Sequence, residues 1–190
     1  MASYCLIFDL DGVIADWSHR LPYIQLNKLD GDTPIDLSPT NDPKPYADWD
    51  AFYAAMPDDP IIEAGATLYN LLATQCLVLG HAIREKQIEA DTPFIDIISC
   101  RPEKMRQVTL DWLNKNELIM PRNLHLRADN DDRPHWRIKL DMYEQFYEGR
   151  ETVLVVFEDN AETIAAFRGR GIACYQVCDG IEPSRIITRH

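Results

Sequence analysis

Residues 4–12 read YCLIFDLDG, a short apolar run that ends in two aspartates and a glycine. Such a run, here from Cys5 to Phe8, is typical of a strand that is buried on both faces of a parallel sheet. Carboxylates at the carboxyl end of such a strand lie in the crevice where open α/β sheets bind ligands. We therefore predict that Asp9 and Asp11 project into a common site, and that Gly12 supplies the turn conformation they need.

Two ordinary interpretations compete for this Asp-x-Asp-Gly stretch. A calcium loop would need further oxygen ligands and a glutamate at the twelfth position counted from Asp9, where the sequence has Arg20. A plain polar turn after a strand is the other interpretation, and this segment alone leaves it open.

The composition predicts one well-buried domain over residues 1–190, because 46% of the 190 residues are hydrophobic. There are 31 acidic residues against 19 lysines and arginines, a formal charge of −12. This charge repels phosphate backbones and acidic membranes at long range, so no extended nucleic-acid binding is expected. We recognise no apolar stretch of membrane-spanning length and no signal segment, and we expect a soluble cytoplasmic protein that does not associate with membranes.

The five cysteines form an odd set without a Cys-x-x-Cys pair, so reduced thiols are expected. A zinc site at Cys174 and Cys178 is disfavoured, because no second pair of ligands with suitable spacing lies nearby.

Strand and helix patterns alternate along the rest of the chain. The predicted strands are Phe94 to Ser99, Leu124 to Arg127, Val153 to Phe157 and Ile172 to Val177. The predicted helices are Glu63 to Ala90, Pro102 to Asn116, Pro134 to Glu148 and Asn160 to Arg168. A short strand at Cys76 to Leu79 is an alternative within the first helix. The alternation predicts an α/β, Rossmann-like fold of three layers around a central parallel sheet.

An irregular insertion, a lid or small cap, is predicted at about residues 17–60. Seven of the twelve prolines fall between Pro22 and Pro60, which excludes regular central strands there. One short helix is expected at about Asp48 to Met56. The insertion carries several aromatic residues that either stack on a base or serve only in packing: Trp17, Tyr23, Tyr46, Trp49 and Phe52.

Later segments bring polar groups to the predicted edge of the sheet. An apolar strand is predicted to end at Ser99 and a helix to begin after it, and a helix N-terminus with a neighbouring hydroxyl suits an anion. Ser99 as a simple helix cap is the alternative. Arg101 adds a planar donor suited to phosphate oxygens. Lys139, on a helix, could equally be a solvated surface residue.

Two adjacent acids, Glu158 and Asp159, follow the predicted strand that ends at Phe157. Two acids beside the pair Asp9 and Asp11 would repel strongly unless a cation lay between them. Mg²⁺ is the natural candidate because it prefers oxygen ligands.

The stretches FDLDG at 8–12, ISCR at 98–101, Lys139, and FEDN at 157–160 resemble, in this order, the four motifs of the haloacid dehalogenase (HAD) superfamily of phosphotransferases. Within it the chain is similar to the 3′-phosphatase domain of phage polynucleotide kinases, through residues 16–20, 127–139 and 171–177. Two positions depart from that pattern. His135 stands where the similar phosphatases have an aspartate four residues before the lysine, and Glu158 stands where they commonly have aspartate.

The resemblance implies a phosphatase that works through an aspartyl-phosphate. Asp9 would be the nucleophile and Asp11 the general acid and base. The implied Mg²⁺ ligands are Asp9, the backbone carbonyl of Asp11, Asp159 and, with a less certain direct role, Glu158. The implied phosphate-binding residues are Ser99, Lys139, Arg20 and Arg101.

Three functions stay open from the sequence. The first is hydrolysis of a 3′-phosphate at a nucleic-acid end. The second is hydrolysis of free nucleoside monophosphates, and the third is a phosphate- or nucleotide-binding module without turnover. Retention of both Asp9 and Asp11 argues against the third.

Overall fold

The computed structural model describes residues 4–23, 48–87 and 90–177. The strands in these residues are β1 (Tyr4–Phe8), β2 (Pro93–Pro102), β3 (Leu124–Arg127), β4 (Thr152–Glu158) and β5 (Cys174–Gln176). They form one parallel sheet in the order β3-β2-β1-β4-β5. The α-helices are α1 (Trp49–Ala54), α2 (Glu63–Glu85), α3 (Arg106–Lys115), α4 (His135–Phe146) and α5 (Ala161–Gly169). β1 therefore occupies the centre, between β2 and β4.

Buried apolar residues form one cluster on each side of the sheet, because neighbouring side chains of a strand point to opposite faces. One cluster joins the sheet to α2 and α3 and includes Phe8, Ile97, Tyr69, Ala73 and Trp112. The other joins it to α4 and α5 and includes Ile7, Ile98, Ile138, Met142 and Phe167. The three-layer, Rossmann-like α/β fold predicted from the alternation of elements is confirmed.

Side-chain caps begin two of these helices. The Asp48 side chain accepts a hydrogen bond from the Ala51 backbone N–H at 2.9 Å and begins α1. Asn160 accepts one from the Thr163 N–H at 2.9 Å and begins α5. The choice of a helix rather than a strand at residues 76–79 is also confirmed, since this stretch lies inside α2.

The prediction that the strand ends at Ser99 and the helix begins at Pro102 is wrong at this boundary. β2 continues to Pro102, and a 3-10 turn at Glu103–Met105 precedes α3. The register of β2 against β3 shifts between Ser99 and Pro102. Ser99 is therefore a residue of an irregular strand end, and its hydroxyl accepts from the Arg101 N–H at 3.3 Å instead of capping a helix.

Helix α2 is long and apolar enough, by length and composition, to cross a membrane. The expectation that no such stretch exists is therefore wrong for residues 63–85. In this fold one side of α2 packs Ala66, Tyr69 and Ala73 into the core beside β2. Its outer side leaves several apolar residues exposed: Leu71, Leu77, Val78 and Leu79.

Several predictions fall on residues that the structure does not describe. Residues 24–47, which include Tyr46 and much of the predicted insertion, lie outside the described residues, as does Cys178. The described cysteines, Cys5, Cys76, Cys100 and Cys174, are free thiols.

A buried ionic network ties β2 to the segments before β3 and β4. The Asp96 carboxylate accepts hydrogen bonds from Arg122, from the Tyr147 hydroxyl at 2.8 Å and from the Asn123 backbone N–H at 2.9 Å. Arg122 also reaches Glu151 at 2.7 Å. Cys5, Asp96 and Glu151 are close enough to share a metal ion. Because the Arg122 guanidinium already pairs with both carboxylates, we interpret this group as structural.

Gly65 lets the first turn of α2 contact the turn that follows β1. A Cβ at residue 65 would lie 1.7 Å from the Val13 carbonyl oxygen. We expect Gly65→Ala to lower the free energy of unfolding by about 1–3 kcal/mol or more, because backbone must move to relieve the overlap. Urea denaturation measures this. Gly169→Ala is the control, since a Cβ there meets nothing within 4 Å; equal stability of both variants would contradict the close contact.

Candidate active site

The carboxyl ends of three adjacent strands meet at one edge of the sheet. Phe8, the last residue of β1, lies beside Ile97 of β2 and Phe157 of β4. The following Asp9 backbone N–H donates to the Phe157 carbonyl at 3.0 Å. Glu158 ends β4, so the two acidic pairs predicted to share a rim do share it.

Hydrogen bonds fix the turn that carries Asp11. The Leu10 carbonyl accepts from the N–H groups of residues 13, 14 and 15 at 3.2, 2.8 and 2.8 Å. Gly12 has a φ of +85°, and a Cβ there would lie 2.0 Å from Asp159 Oδ2. A glycine is therefore needed both for the turn and for the close approach of Asp159.

Three buried carboxylates cluster around one lysine. Asp9, Glu158 and Asp159 each place an oxygen within 4.8 Å of the others. The Lys139 ammonium lies 2.7 Å from Asp9 Oδ2 and 2.7 Å from Glu158 Oε2. Lys139 is buried, so the alternative that it is a solvated surface residue is excluded.

The charges in this cluster do not balance. Burial raises the pKa of Asp9 to about 7. The Lys139 ammonium opposes this increase, and the Glu158 carboxylate adds to it. Burial also raises the pKa of Asp159 to about 6, and the nearby Asp9 carboxylate adds to the shift. Burial would lower the pKa of Lys139, but Asp9 and Glu158 hold it well above its usual range. One cation thus faces three buried carboxyl groups.

The donor set fits a divalent cation that prefers oxygen ligands. Asp9 Oδ1 is buried and has no hydrogen-bond partner among the described residues. Asp159 lies in the same group of oxygens. Both oxygens of Glu158 are engaged, one with Lys139 at 2.7 Å and the other with the Asn160 N–H at 3.1 Å. Asp9 and Asp159 therefore offer the better ligands, while Glu158 positions Lys139.

The Asp11 carboxylate is held by two arginines. Arg20 donates to Asp11 Oδ1 at 2.6 Å, and Arg101 donates to Oδ1 at 2.7 Å and to Oδ2 at 3.1 Å. Burial alone would raise the pKa of Asp11, but Arg101 and Arg20 outweigh it and hold the pKa at about 2. The sequence thus correctly grouped Asp11, Arg20 and Arg101, although it did not predict that they bind one another.

Asp59 is a member of this site that sequence reasoning missed. Its fully buried carboxylate lies 2.8 Å from Arg20 Nε, 2.8 Å from Arg101 Nη2 and 2.8 Å from His19 Nε2. The backbone carbonyl oxygen of Asp59 accepts a hydrogen bond from the Trp112 indole N–H at 2.8 Å. Asp59 and Asp11 therefore share the two guanidinium groups, and each carboxylate contacts both of them. Nothing in the stretch MPDDP at 56–60 distinguishes this acid from its neighbour Asp58.

A cavity of about 810 Å³ opens from Asp9 toward the predicted insertion. Its inner wall includes the acidic cluster, Ser99 and Arg101. Its outer wall includes Trp17, Trp49, Phe52, Tyr53, Lys104, Arg127 and His135. Tyr53 and Arg127 were not predicted as site residues. The volume falls in the range of roughly 300–1,000 Å³ that is usual for small-molecule sites.

The sequence matches the family model of the polynucleotide kinase PNKP phosphatase domain, HAD_PNKP, over residues 44–181. The chain belongs to this family. The matched stretch contains Ser99, Lys139, Glu158 and Asp159, and it begins after Asp9 and Asp11. The resemblance inferred from the ordered motifs, to HAD phosphatases of the polynucleotide kinase type, is thereby confirmed. No similar sequence is found among curated proteins.

Solved structures share the fold. A chain of the Pnkp1/Rnl/Hen1 RNA repair complex matches with a TM-score of 0.64 and 19% identity, over 95% of this chain and 44% of that chain. A chain of another structure of the Pnkp1/Rnl/Hen1 complex matches with a TM-score of 0.58 and 18% identity, over 95% and 47%. A hydrolase from Streptococcus pneumoniae TIGR4 is 15% identical over 98% of each chain, with a TM-score of 0.47. This chain spans less than half the length of the two repair-complex chains.

Proposed function

We propose that this protein is a Mg²⁺-dependent phosphomonoesterase that removes the 3′-phosphate from a nucleic-acid end through an aspartyl-phosphate on Asp9. The observation that carries the proposal is the buried Asp9 at the end of the central strand, with one oxygen on Lys139 and the other unpartnered. A nucleophilic carboxylate beside a fixed ammonium suits attack on an anionic phosphorus centre. The membership in a family of polynucleotide kinase phosphatase domains supports the substrate class.

In the first displacement an Asp9 oxygen attacks phosphorus, and the bond from phosphorus to the ester oxygen breaks. The leaving oxygen takes the electron pair of that bond and a proton from Asp11. In the second displacement Asp11 accepts a proton from water, whose oxygen attacks phosphorus. The bond to Asp9 breaks, and inorganic phosphate and the free Asp9 carboxylate result.

Arg20 and Arg101, which pair with Asp11 in the structure, are also proposed to bind the phosphoryl group. Arg20 and Arg101 now donate to Asp11 at 2.6 and 2.7 Å. A phosphoryl group that draws these guanidinium donors away would raise the pKa of the Asp11 carboxyl group. Asp11 could then take up from solvent the proton that the first displacement requires. Ser99 and Lys139 would bind the remaining phosphoryl oxygens.

Mg²⁺ would be held by Asp9, Asp159 and the backbone carbonyl of Asp11. It would offset the carboxylate charge and orient the phosphoryl group for attack. The unpartnered Asp9 oxygen and the excess of buried carboxylates support this placement.

Phosphate release from defined substrates tests the proposal. We expect release from a 3′-phosphorylated oligonucleotide to exceed release from its 5′-phosphorylated counterpart, with DNA and RNA versions both assayed because the similar fold occurs in an RNA repair complex. A chelator should lower the rate at least about tenfold, and added Mg²⁺ should restore it. Release that is unaffected by chelation would contradict the metal dependence. Binding without release from any substrate would instead indicate the non-catalytic module.

Hydrolysis of free nucleoside monophosphates is the second candidate, and the cavity volume favours it. About 810 Å³ can accommodate a whole nucleotide, and a net charge of −12 disfavours a long bound polyanion. The same assay with free 3′- and 5′-monophosphates separates the two candidates. Preference for the monomers over the 3′-phosphorylated oligonucleotide would select the nucleotidase.

A further inference from the structure

Two aromatic side chains of α1 line the outer wall of the cavity, and one of them keeps half of its surface exposed. Trp49 and Tyr53, one helical turn apart on α1, lie with ring centroids 5.9 Å apart and planes inclined by 24°. Both line the cavity that contains Asp9. Trp49 is 50% exposed, whereas Phe52 between them in sequence is 8% exposed. We call Trp49 and Tyr53 the aromatic wall.

Neighbouring contacts hold this wall in place. The Arg127 guanidinium donates to the Tyr53 hydroxyl oxygen at 2.9 Å and to the carbonyl oxygens of Cys100 and Asp131 at 3.0 and 2.7 Å. Phe52 packs its ring edge against Trp49, with centroids 5.4 Å apart and planes at 77°. Because the rings are fixed before a ligand arrives, stacking on them costs little ordering entropy.

Positive charge lies beside the rings. The Lys104 ammonium is 5.4 Å from the centre of the Tyr53 ring, and its ion pair with the exposed Asp50 is long, at 3.8 Å. Arg20 packs its guanidinium 4.6 Å from the centre of the Phe52 ring and faces the catalytic end. Aromatic surface next to lysine and arginine is the combination that binds single-stranded nucleic acid, through stacking and phosphate contacts.

We propose that the aromatic wall stacks on the base of the nucleotide that carries the scissile phosphate. The substrate is therefore a nucleic-acid end whose terminal base is unpaired, since a paired base must leave its partner to reach the wall. The inference rests on the proposed function for the position of the phosphate. Stacking uses the face that every base has, so the wall tolerates any base but requires one.

A base-bearing and an abasic ligand distinguish this role from packing. The ligands are two fluorescently labelled, single-stranded oligonucleotides with a 3′-phosphate, identical except that one lacks the 3′-terminal base. Binding is measured by fluorescence anisotropy with Asp9→Asn protein, in which the ligand stays intact. We expect the base-bearing ligand to bind about 5- to 100-fold more tightly, the range that corresponds to stacking of one base. The same terminal base in a blunt duplex should bind less tightly.

Substitutions assign the preference to the wall. Trp49→Ala, added to Asp9→Asn, should remove most of the preference by weakening mainly the base-bearing ligand, because only the Tyr53 ring of the wall then remains. Trp49→Tyr should retain most of the preference. Tyr175→Ala is the matched control, because Tyr175 is also an exposed aromatic residue but does not line the cavity. Equal affinities for the two ligands, or a preference that Trp49→Ala leaves unchanged, would overturn the proposal.

Failure of this inference is separable from failure of the proposed function. The anisotropy measurement requires no turnover, so it tests the wall even if the protein releases no phosphate. Equal hydrolysis of base-bearing and abasic 3′-phosphates would support the proposed function and contradict base stacking on the aromatic wall. A Trp49-dependent preference without any phosphate release would support base stacking and contradict only the proposed hydrolysis.

Discussion

Asp9→Asn should lower phosphate release by about 10⁴-fold or more while the protein stays folded. An amide at residue 9 cannot form the phosphorylated intermediate, and loss of a nucleophile is among the largest single losses in enzymes that use one. The fold should persist because the substitution removes one of three crowded carboxylates, and Lys139 keeps Glu158 as a partner at 2.7 Å. The measurement is the single-turnover rate on a 3′-phosphorylated oligonucleotide, with circular dichroism and thermal unfolding for the fold.

Glu162→Gln is the control for this change. Glu162 is an exposed acid in the first turn of α5, close in sequence to the acidic cluster but outside the cavity. Its substitution should leave the rate within about twofold of wild type, as expected for a surface change. Near-normal turnover by Asp9→Asn would remove the nucleophile assignment, and with it the aspartyl-phosphate.

The acidic cluster at the end of the central strands could be predicted from sequence, because the position of strand ends in a parallel sheet follows a simple rule. Apolar runs followed by polar residues identify strand ends, and parallel strands place these ends at one edge. Asp9 and the pair Glu158 and Asp159 follow this rule, and the structure brings them together. Lys139 required the ordered motifs as well, since one lysine on a helix carries no signal of burial.

The residues around the two arginines and on the outer wall of the cavity could not be predicted in the same way. Asp59 lies in an irregular segment, and Tyr53 and Arg127 lie on a helix of six residues and a strand of four residues. Elements this short carry too few positions for a pattern to show which side chains face the cavity. The role of these residues depends on contacts across 42 to 74 positions of sequence, such as Arg101 to Asp59 and Arg127 to Tyr53. The wrong start of α3 has a related cause, because Pro102 also fits the last position of a strand.

Asp59→Asn should weaken both the fold and the binding of phosphate. The substitution leaves Asp11 as the carboxylate that pairs with both Arg20 and Arg101, and it turns a neutralised network into one with excess buried positive charge. Removing one partner of a buried ion pair costs about 3–5 kcal/mol, so we expect a loss of this size in the free energy of unfolding. The Trp112 bond to the Asp59 carbonyl does not depend on the side chain and should remain.

A second readout separates positioning of the arginines from a purely structural role. Inhibition by inorganic phosphate, measured well below the unfolding temperature, should weaken about tenfold or more. Asp59 contacts both guanidinium groups, and we expect the loss of their fixed positions to outweigh the attraction of the added net positive charge for phosphate. Asp58→Asn is the matched control: Asp58 is exposed, and its described ion pair, with Lys115, is 3.9 Å long. It should change the free energy of unfolding by less than about 0.5 kcal/mol and leave phosphate inhibition unchanged. Lower stability of Asp59→Asn with unaltered phosphate inhibition would show that Asp59 supports the fold alone.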